Sequence, residues 1–365
     1  MTDAPSPWGH TAGVRGSSKP RAVAAGGAGQ VRMWRPGRPV AVHATLAGLC
    51  RGASDPCYRR EADGTVWRAT LAPDGPVLLR LAARPAAGEV EATAWGPGSA
   101  WALDGVPELL GERDDPSGFA PDVRHPRLVA AWRTRPGWRV TRSRAVVEAL
   151  IGAALEQRVT GVEARRAWRM LVEAYGEPAP GPGGARRGEG AWGDGPAAAM
   201  RVPPAPAHWR AIPSWMWLRA GVDEARRRVA LAACASAGRL EQTLDADPAE
   251  VERKLRTLPG VGVWTAAEVR QRAHGDADAF SFGDYHVARN VSWALTSRVL
   301  DDAGCAALIE QYRGHRYRVQ RLLELDGAVR PRRGPRMSLP THLLDGRSQG
   351  SGPSLHLPAP RQPAR

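Results

Sequence analysis

The sequence predicts a mixed α+β fold: a small N-terminal α/β domain, then an all-α domain, with a disordered basic tail at each end. Three observations carry this. Residues 65–71 (TVWRATL) and 76–81 (PVLLRL) are apolar, β-prone runs, separated by the strong turn chemistry of Ala72-Pro73-Asp74-Gly75. Beyond residue 140 the apolar positions recur at helical spacing instead. Residues 1–40 and 327–365 are rich in Gly, Pro, Ala, Ser and Arg with no period, a composition that does not build a core.

In chain order, the expected divisions are a disordered tail over 1–40, the small domain over 41–130, the helical domain over 131–326 and a second disordered tail over 327–365. Residues 89–95 (EVEATAW) alternate weakly and add a third strand to the small domain. Pro121 to Pro136 reads as a bridge. Over 143–157, Val147, Leu150, Ile151, Ala154 and Leu155 fall on one helical face. Residues 176–207 hold many Pro and Gly and read as a long loop within the helical part. Helical patterns resume over 222–235 and 248–257. The second opens with Asp247-Pro248-Ala249-Glu250, a capping-box-like start with Pro in the first turn. Further helices are expected over 264–274, 285–297, 302–312 and 316–325.

Composition excludes several function classes. The four cysteines, Cys50, Cys57, Cys234 and Cys305, lie too far apart in sequence for a zinc ribbon or redox pair. They lack the bunching that ligates an iron–sulfur cluster, so no such cluster is expected. There is no N-terminal apolar h-region and no apolar run that would span a bilayer, so a cytoplasmic protein without membrane contact is expected. The net charge is +14, but residues 1–40 carry +5 and residues 327–365 carry +6, leaving +3 for the body. Charge alone therefore does not establish nucleic-acid binding. Lys19 and Lys254 are the only lysines, which rules out a P-loop.

The informative stretch is Leu258-Pro259-Gly260-Val261-Gly262-Val263-Trp264-Thr265-Ala266. A helix ends, a tight turn follows and a new helix starts at once. The glycines permit positive φ and close backbone approach, and the unpaired amides that open the second helix suit a phosphate oxygen. Such a hairpin grips DNA backbone without reading sequence; read blandly, it is an ordinary helix–turn–helix. Further on, Phe280-Ser281-Phe282-Gly283-Asp284-Tyr285 breaks the chain and places Asp284 at or beside a helix N-terminus. There it can act as a plain cap, or as a carboxylate held ionised to stabilise a cationic transition state.

The hairpin followed by a Gly-Asp loop, over roughly residues 140–326, resembles the helix-hairpin-helix, Gly/Pro-Asp superfamily of DNA glycosylases. The resemblance implies Asp284 as the catalytic carboxylate and Leu258, Pro259, Gly260, Val261, Gly262 and Thr265 as the DNA-binding hairpin. Bifunctional members carry a lysine where this chain has Trp264, so the resemblance implies a monofunctional enzyme. Trp264, Asp284-Tyr285 and Leu155-Glu156-Gln157-Arg158-Val159-Thr160 most resemble the DNA-3-methyladenine glycosylase II type, which also has a small α/β domain before the helical one. By that likeness the substrate is duplex DNA with alkylated purines, the base is flipped into a pocket with Trp264 and Tyr285 as stacking walls, and the enzyme acts as a monomer. Gln157 and Arg158 occupy the place of the gap-filling wedge, with arginine where the type has an apolar side chain. Glu268, one turn after Trp264, replaces an aromatic; it is either a carboxylate near the pocket that favours a cationic base or an exposed helix residue. No organic cofactor is implied. A structural cation at the hairpin is implied, on the backbone carbonyls of Arg256, Leu258 and Val261. The cluster Arg313-Gly314-His315-Arg316-Tyr317-Arg318 either touches phosphate or is a solvated face.

Overall fold

The structure, a computed structural model, describes residues 29–182, 197 and 199–330. The N-terminal part is a five-stranded antiparallel sheet of β1 (Gln30–Trp34), β2 (Tyr58–Arg60), β3 (Val66–Ala72), β4 (Gly75–Arg84) and β5 (Glu89–Trp95), in the order β1-β5-β4-β3-β2. The β3–β4 hairpin closes through the Ala72↔Gly75 pair, and Gly75, at φ +128°, takes a conformation that L residues rarely adopt. Val66, Val77, Leu79, Leu81, Val90 and Ala92 bury one face of the sheet against α1 (Val42–Leu46), α2 (Ser99–Asp104) and α3 (Val106–Leu109). Trp67, Ala69 and Leu78, on the other face, pack with Met200 and Val202.

The helical part follows: α4 (Pro126–Arg133), α5 (Val146–Glu156), α6 (Gly161–Tyr175), α7 (Pro206–Ala211), α8 (Ser214–Arg219), α9 (Glu224–Ala235), α10 (Ala237–Glu241) and α11 (Pro248–Arg256). After them come α12 (Val263–Val269), α13 (Val287–Thr296), α14 (Asp302–Ile309) and α15 (Arg316–Leu325). α5 is buried almost all round, as an apolar helix at the centre of a bundle must be. It packs on α6, α9, α10 and α12 in one core, while α4 and α13 to α15 share a second core around Trp138, Leu128 and Leu322.

Polar contacts join sheet and bundle. Glu148 of α5 accepts from Arg68 Nη2 at 2.8 Å and Thr70 Oγ1 at 2.5 Å on β3. Asp55, buried, accepts from the amides of Arg51 and Cys57 and from Trp168 Nε1 of α6. At the far side Arg318, with no exposed side-chain surface, forms a bidentate pair with Asp114 at 2.9 and 2.5 Å, ringed by Phe119, Trp132 and Trp138.

Several expectations change. Within the expected N-terminal tail, residues 30–34 form β1, which pairs with β5 from Gln30↔Ala94 to Trp34↔Val90. This is an edge strand whose Val31 and Met33 stay exposed, so its own residues give no burial pattern to read. Residues 1–28 and 331–365 lie outside the described residues. Helix α6 was not expected, although Thr160 and Glu163 form a full capping box at its start; the bridge over 121–136 contains α4. In the expected loop over 176–207, β6 (Glu177–Pro178) pairs with β7 (Arg201–Val202) and α7 begins at Pro206; residues 183–196 and 198 are outside the described residues. The helix after the hairpin widens into a π-helical turn over Arg270–His274 and stops at Gly275, φ +74°.

Candidate active site

The hairpin joins α11 to α12. Thr257 Oγ1 donates to the Lys254 carbonyl at 2.7 Å, and the Val261 amide donates to the Leu258 carbonyl at 3.0 Å, closing the turn. Val261 and Thr265 are buried and hold the turn to the bundle, whereas Pro259, Gly260 and Gly262 face outward. The two glycines differ. Gly260 has φ +84°, and a Cβ there would lie 2.5 Å from Val229 Cγ2 of α9. Gly262 has φ −92°, which any residue adopts, and a Cβ there would meet nothing within 4 Å. Among the described residues no side chain caps α12, which leaves its first amides open to an outside acceptor.

Gln157, at the end of α5, reaches this turn. Its Nε2 donates to the Gly260 carbonyl at 3.0 Å and to Thr265 Oγ1 at 2.9 Å. Arg158 beside it is exposed and has φ +55°, a left-handed backbone that costs a non-glycine residue roughly 1–2 kcal/mol. Arg226, buried on α9, donates to the Leu155 carbonyl at 3.2 Å and pairs with Asp223, fastening the base of the same turn. The α5–α6 turn and the hairpin are therefore one fixed surface.

Asp284 sits half-buried at the start of α13. Its Oδ1 accepts from the amides of His286 at 2.7 Å and Val287 at 2.9 Å. Among the described residues no hydrogen bond is recorded to Oδ2. Gly283 has φ +89° and a Cβ there would lie 3.6 Å from Trp264 Cβ, so the aspartate loop packs directly on the first turn of α12. Hairpin, Trp264 and Asp284 are thus brought together. Trp264 is half-buried, and its buried Nε1 has no hydrogen-bond partner among the described residues. Tyr285 is 68% exposed, with the Arg289 guanidinium over its ring at 4.8 Å.

Glu268 is not an exposed helix residue. It is buried, with Oε2 on Arg272 Nη1 at 2.5 Å and Oε1 accepting from Ser281 Oγ at 2.6 Å. Burial works against the charge on Arg272, but Glu268 and Glu156 outweigh it and hold its pKa above the ordinary value. The arginine cluster before α15 is committed internally: Arg316 pairs with Asp278, Arg318 with Asp114 and Arg313 with Glu310. Trp138, Trp168 and Trp217 are buried, whereas Trp215 is 59% exposed on α8.

Sequence reasoning missed the groups that hold the aspartate loop. Ser281, Gln271, Gln320 and Arg272 carry no motif; the Gln320–Ser281 bond spans 39 residues, and Arg272 reaches Gly48 across 224.

Family models give no match for this chain. Over 184 residues, 50% of the chain, it is 32% identical to the probable bifunctional transcriptional activator/DNA repair enzyme AlkA of Mycobacterium tuberculosis. That stretch is 32% of the relative, so the chain spans about a third of the length of the curated relatives it matches. Among solved structures, a 3-methyladenine DNA glycosylase from Archaeoglobus fulgidus superposes with a TM-score of 0.62 at 17% identity, covering 81% of this chain and 98% of that one. An 8-oxoguanine glycosylase/lyase from Clostridium acetobutylicum gives 0.57 at 11% identity, covering 82% and 99%. MBOgg1, in complex with a low-affinity DNA ligand, gives 0.56 at 15% identity, covering 78% and 92%. The chain has the fold of the DNA glycosylases. Within that fold the Gly283-Asp284 loop packs on Trp264, the second residue after the Pro259–Gly262 hairpin.

Proposed function

We propose that this protein is a monofunctional DNA glycosylase that removes alkylated purines, of the 3-methyladenine and 7-methylguanine kind, from duplex DNA. The observation that carries the reading is Asp284, fixed through Oδ1 by two helix amides, with Oδ2 unengaged and the Trp264 turn against its loop. The hairpin amides and the outward Gly262 receive backbone phosphate. Arg158 enters the stack where the damaged nucleotide leaves it. The base lodges against Trp264, with Tyr285 at the mouth. An alkylated purine carries positive charge, and stacking on an indole contributes about 0.5–2 kcal/mol.

Scission of the N-glycosidic bond passes through an oxocarbenium-like sugar. Asp284 stabilises that cation and orients or deprotonates the attacking water, leaving free base and an abasic site. Lyase chemistry needs an amine nucleophile. Trp264 stands at the lysine position of the bifunctional type, and Lys254 lies on α11 with its ammonium 2.8 Å from Glu250; Lys19 is outside the described residues. Strand scission would therefore require added alkali.

A cation at the hairpin would be held by the carbonyls of Arg256, Leu258 and Val261. The Leu258 carbonyl accepts from the Val261 amide and keeps a second lone pair for it. Among the described residues no group of three His, Cys, Asp or Glu side chains could hold a metal, so the donors would be carbonyls alone. Among the described residues no helix is long and apolar enough to cross a membrane; action as a monomer on nucleoid DNA belongs to the same proposal.

A panel of duplexes bearing 3-methyladenine, 7-methylguanine, 8-oxoguanine or a mismatch tests the reading, by chromatography of the released base. Release from the alkylated duplexes, with strands cut only after hot alkali, supports it. Preference for 8-oxoguanine, or cutting without alkali, overturns the assignment of lesion or of mechanism.

A further inference from the structure

Glu268 was expected near the base pocket or at the surface, and the structure buries it. What it meets there is Ser281, whose side chain is fully buried. The Ser281 hydroxyl donates to Glu268 Oε1 at 2.6 Å and accepts from Gln271 Nε2 at 2.8 Å and Gln320 Nε2 at 3.0 Å. Its amide donates to Gln320 Oε1 at 3.1 Å. One hydroxyl thus uses its single proton and both lone pairs, and no other orientation satisfies all three neighbours.

Each partner comes from a different place. Glu268 is on α12, Gln271 is in the π-helical turn that follows, and Gln320 is on α15. Through Glu268 the network continues to Arg272, whose Nε donates to the Gly48 carbonyl beside α1 at 3.0 Å. In the other direction the Ser281 carbonyl accepts from the Asp284 amide at 3.2 Å, while the Gly283 amide donates to Asp302 Oδ2 at 2.8 Å. Among the described residues, Ser281 is where side chains of α12, the π-helical turn and α15 together hydrogen-bond the loop that carries the aspartate. A buried polar network of this kind is rigid when every member is satisfied, and loses that rigidity when one is removed.

We infer that Ser281 is a positioning residue: its buried hydroxyl, oriented by Glu268, Gln271 and Gln320, sets the place of Asp284 against the Trp264 turn. This rests on the glycosylase reading for its effect on rate. Its effect on the loop itself does not depend on that reading.

Ser281→Ala and Glu268→Gln separate positioning from bulk stability. Glutamine keeps an oxygen to accept from Ser281 but leaves Arg272 without its charge partner, so Glu268→Gln lowers Tm more than Ser281→Ala does. Rate follows the opposite order. Single-turnover base release falls on the order of 10- to 100-fold in Ser281→Ala, as expected when a reacting group is displaced by up to an ångström, and only a few-fold in Glu268→Gln. Affinity for the lesion duplex stays within about 3-fold in both, since neither touches the hairpin donors. Hydrogen exchange at the His286 and Val287 amides, which Asp284 caps, speeds about ten-fold in Ser281→Ala.

Rates that follow Tm instead, or unchanged exchange at His286 and Val287, overturn the inference. If wild type releases no base from any duplex, the glycosylase reading fails and the exchange result alone decides the role of Ser281. If wild type is active and Ser281→Ala equals it in rate and exchange, the inference alone fails. Should Ser281→Ala not fold, Gln320→Leu removes both amide contacts to Ser281 from the α15 side and is judged by the same rate and exchange results.

Discussion

Gly260 and Gly262 stand two residues apart in the hairpin, and the structure gives them different reasons to be glycine. Replacing Gly260 by alanine forces a left-handed backbone on a Cβ-bearing residue, at roughly 1–2 kcal/mol. It also drives a methyl to 2.5 Å from Val229 Cγ2, on a side chain 3% exposed and with no room to turn. Overpacking of that kind costs about 1–3 kcal/mol. The sum, about 2–5 kcal/mol, lowers Tm by roughly 5–10 °C. Gly262→Ala meets no protein atom and needs no unusual φ. The only internal cost is the poorer N-cap, about 1 kcal/mol or less, or near 2 °C in Tm. If the hairpin cradles phosphate, however, the new methyl stands where the oxygen must approach. Loss of one charge-assisted bond costs about 1.5–3 kcal/mol, a rise in Kd of about 10- to 100-fold. Thermal melts and fluorescence anisotropy on one duplex at fixed salt measure both variants. A Gly262→Ala protein that melts near wild type and binds DNA as wild type does would refute the placement of phosphate at this turn.

Three further predictions follow from other parts of the molecule. Asp114→Ala strands the fully buried Arg318 guanidinium and destabilises by about 3–5 kcal/mol in urea unfolding; a loss under 1 kcal/mol would mean that water reaches the arginine. Arg158→Gly relieves the left-handed residue, so Tm does not fall, while base release drops about ten-fold if the guanidinium fills the gap in the stack; a lower Tm with unchanged release would remove Arg158 from the DNA face. Burial, with Arg142 close by, holds His274 down at about 4 against an ordinary 6.5. The unfolded chain then binds more protons between those values, so stability is lost as pH falls from 6.5 to 4, by roughly 3 kcal/mol for this residue. Denaturant unfolding at pH 7 and 4.5 should give a smaller difference for His274→Gln than for wild type; an equal difference would contradict the burial argument.

What the sequence made legible was local. The β3–β4 turn announces itself by Pro73-Asp74-Gly75, and the hairpin by its glycines and the apolar positions of α11 and α12. Gly283-Asp284 before an apolar helix face is equally readable. Elements without a local signature were lost: β1 is held by its partner strand, and α4 lies in a stretch that its Pro and Arg residues disguise. α6 was legible in principle, since Thr160 and Glu163 spell a capping box, yet no element was expected between the helix ending at 157 and the loop starting at 176. Glu268 shows the deeper limit. One turn after Trp264 it could face a pocket or solvent; its i,i+4 partner Arg272 was within reach of a spacing rule, but Ser281, which fixes its other oxygen, was not. Gln157 is similar: its place at the end of α5 was readable, but its bonds to Gly260 and Thr265 are not, because they cross more than 100 residues of chain.

The central claim is that Asp284 carries the chemistry while the hairpin carries the DNA, and Asp284→Asn tests it most directly. The asparagine Oδ1 can still accept from the His286 and Val287 amides, so the helix keeps its cap and only the charge is lost. With an N-alkylated duplex under single-turnover conditions, wild type should release the base and leave abasic sites. The variant should bind the same duplex with unchanged affinity and release base at least about 100-fold more slowly, the scale on which removing one preorganised stabilising group acts. Equal release by the two proteins would contradict the account.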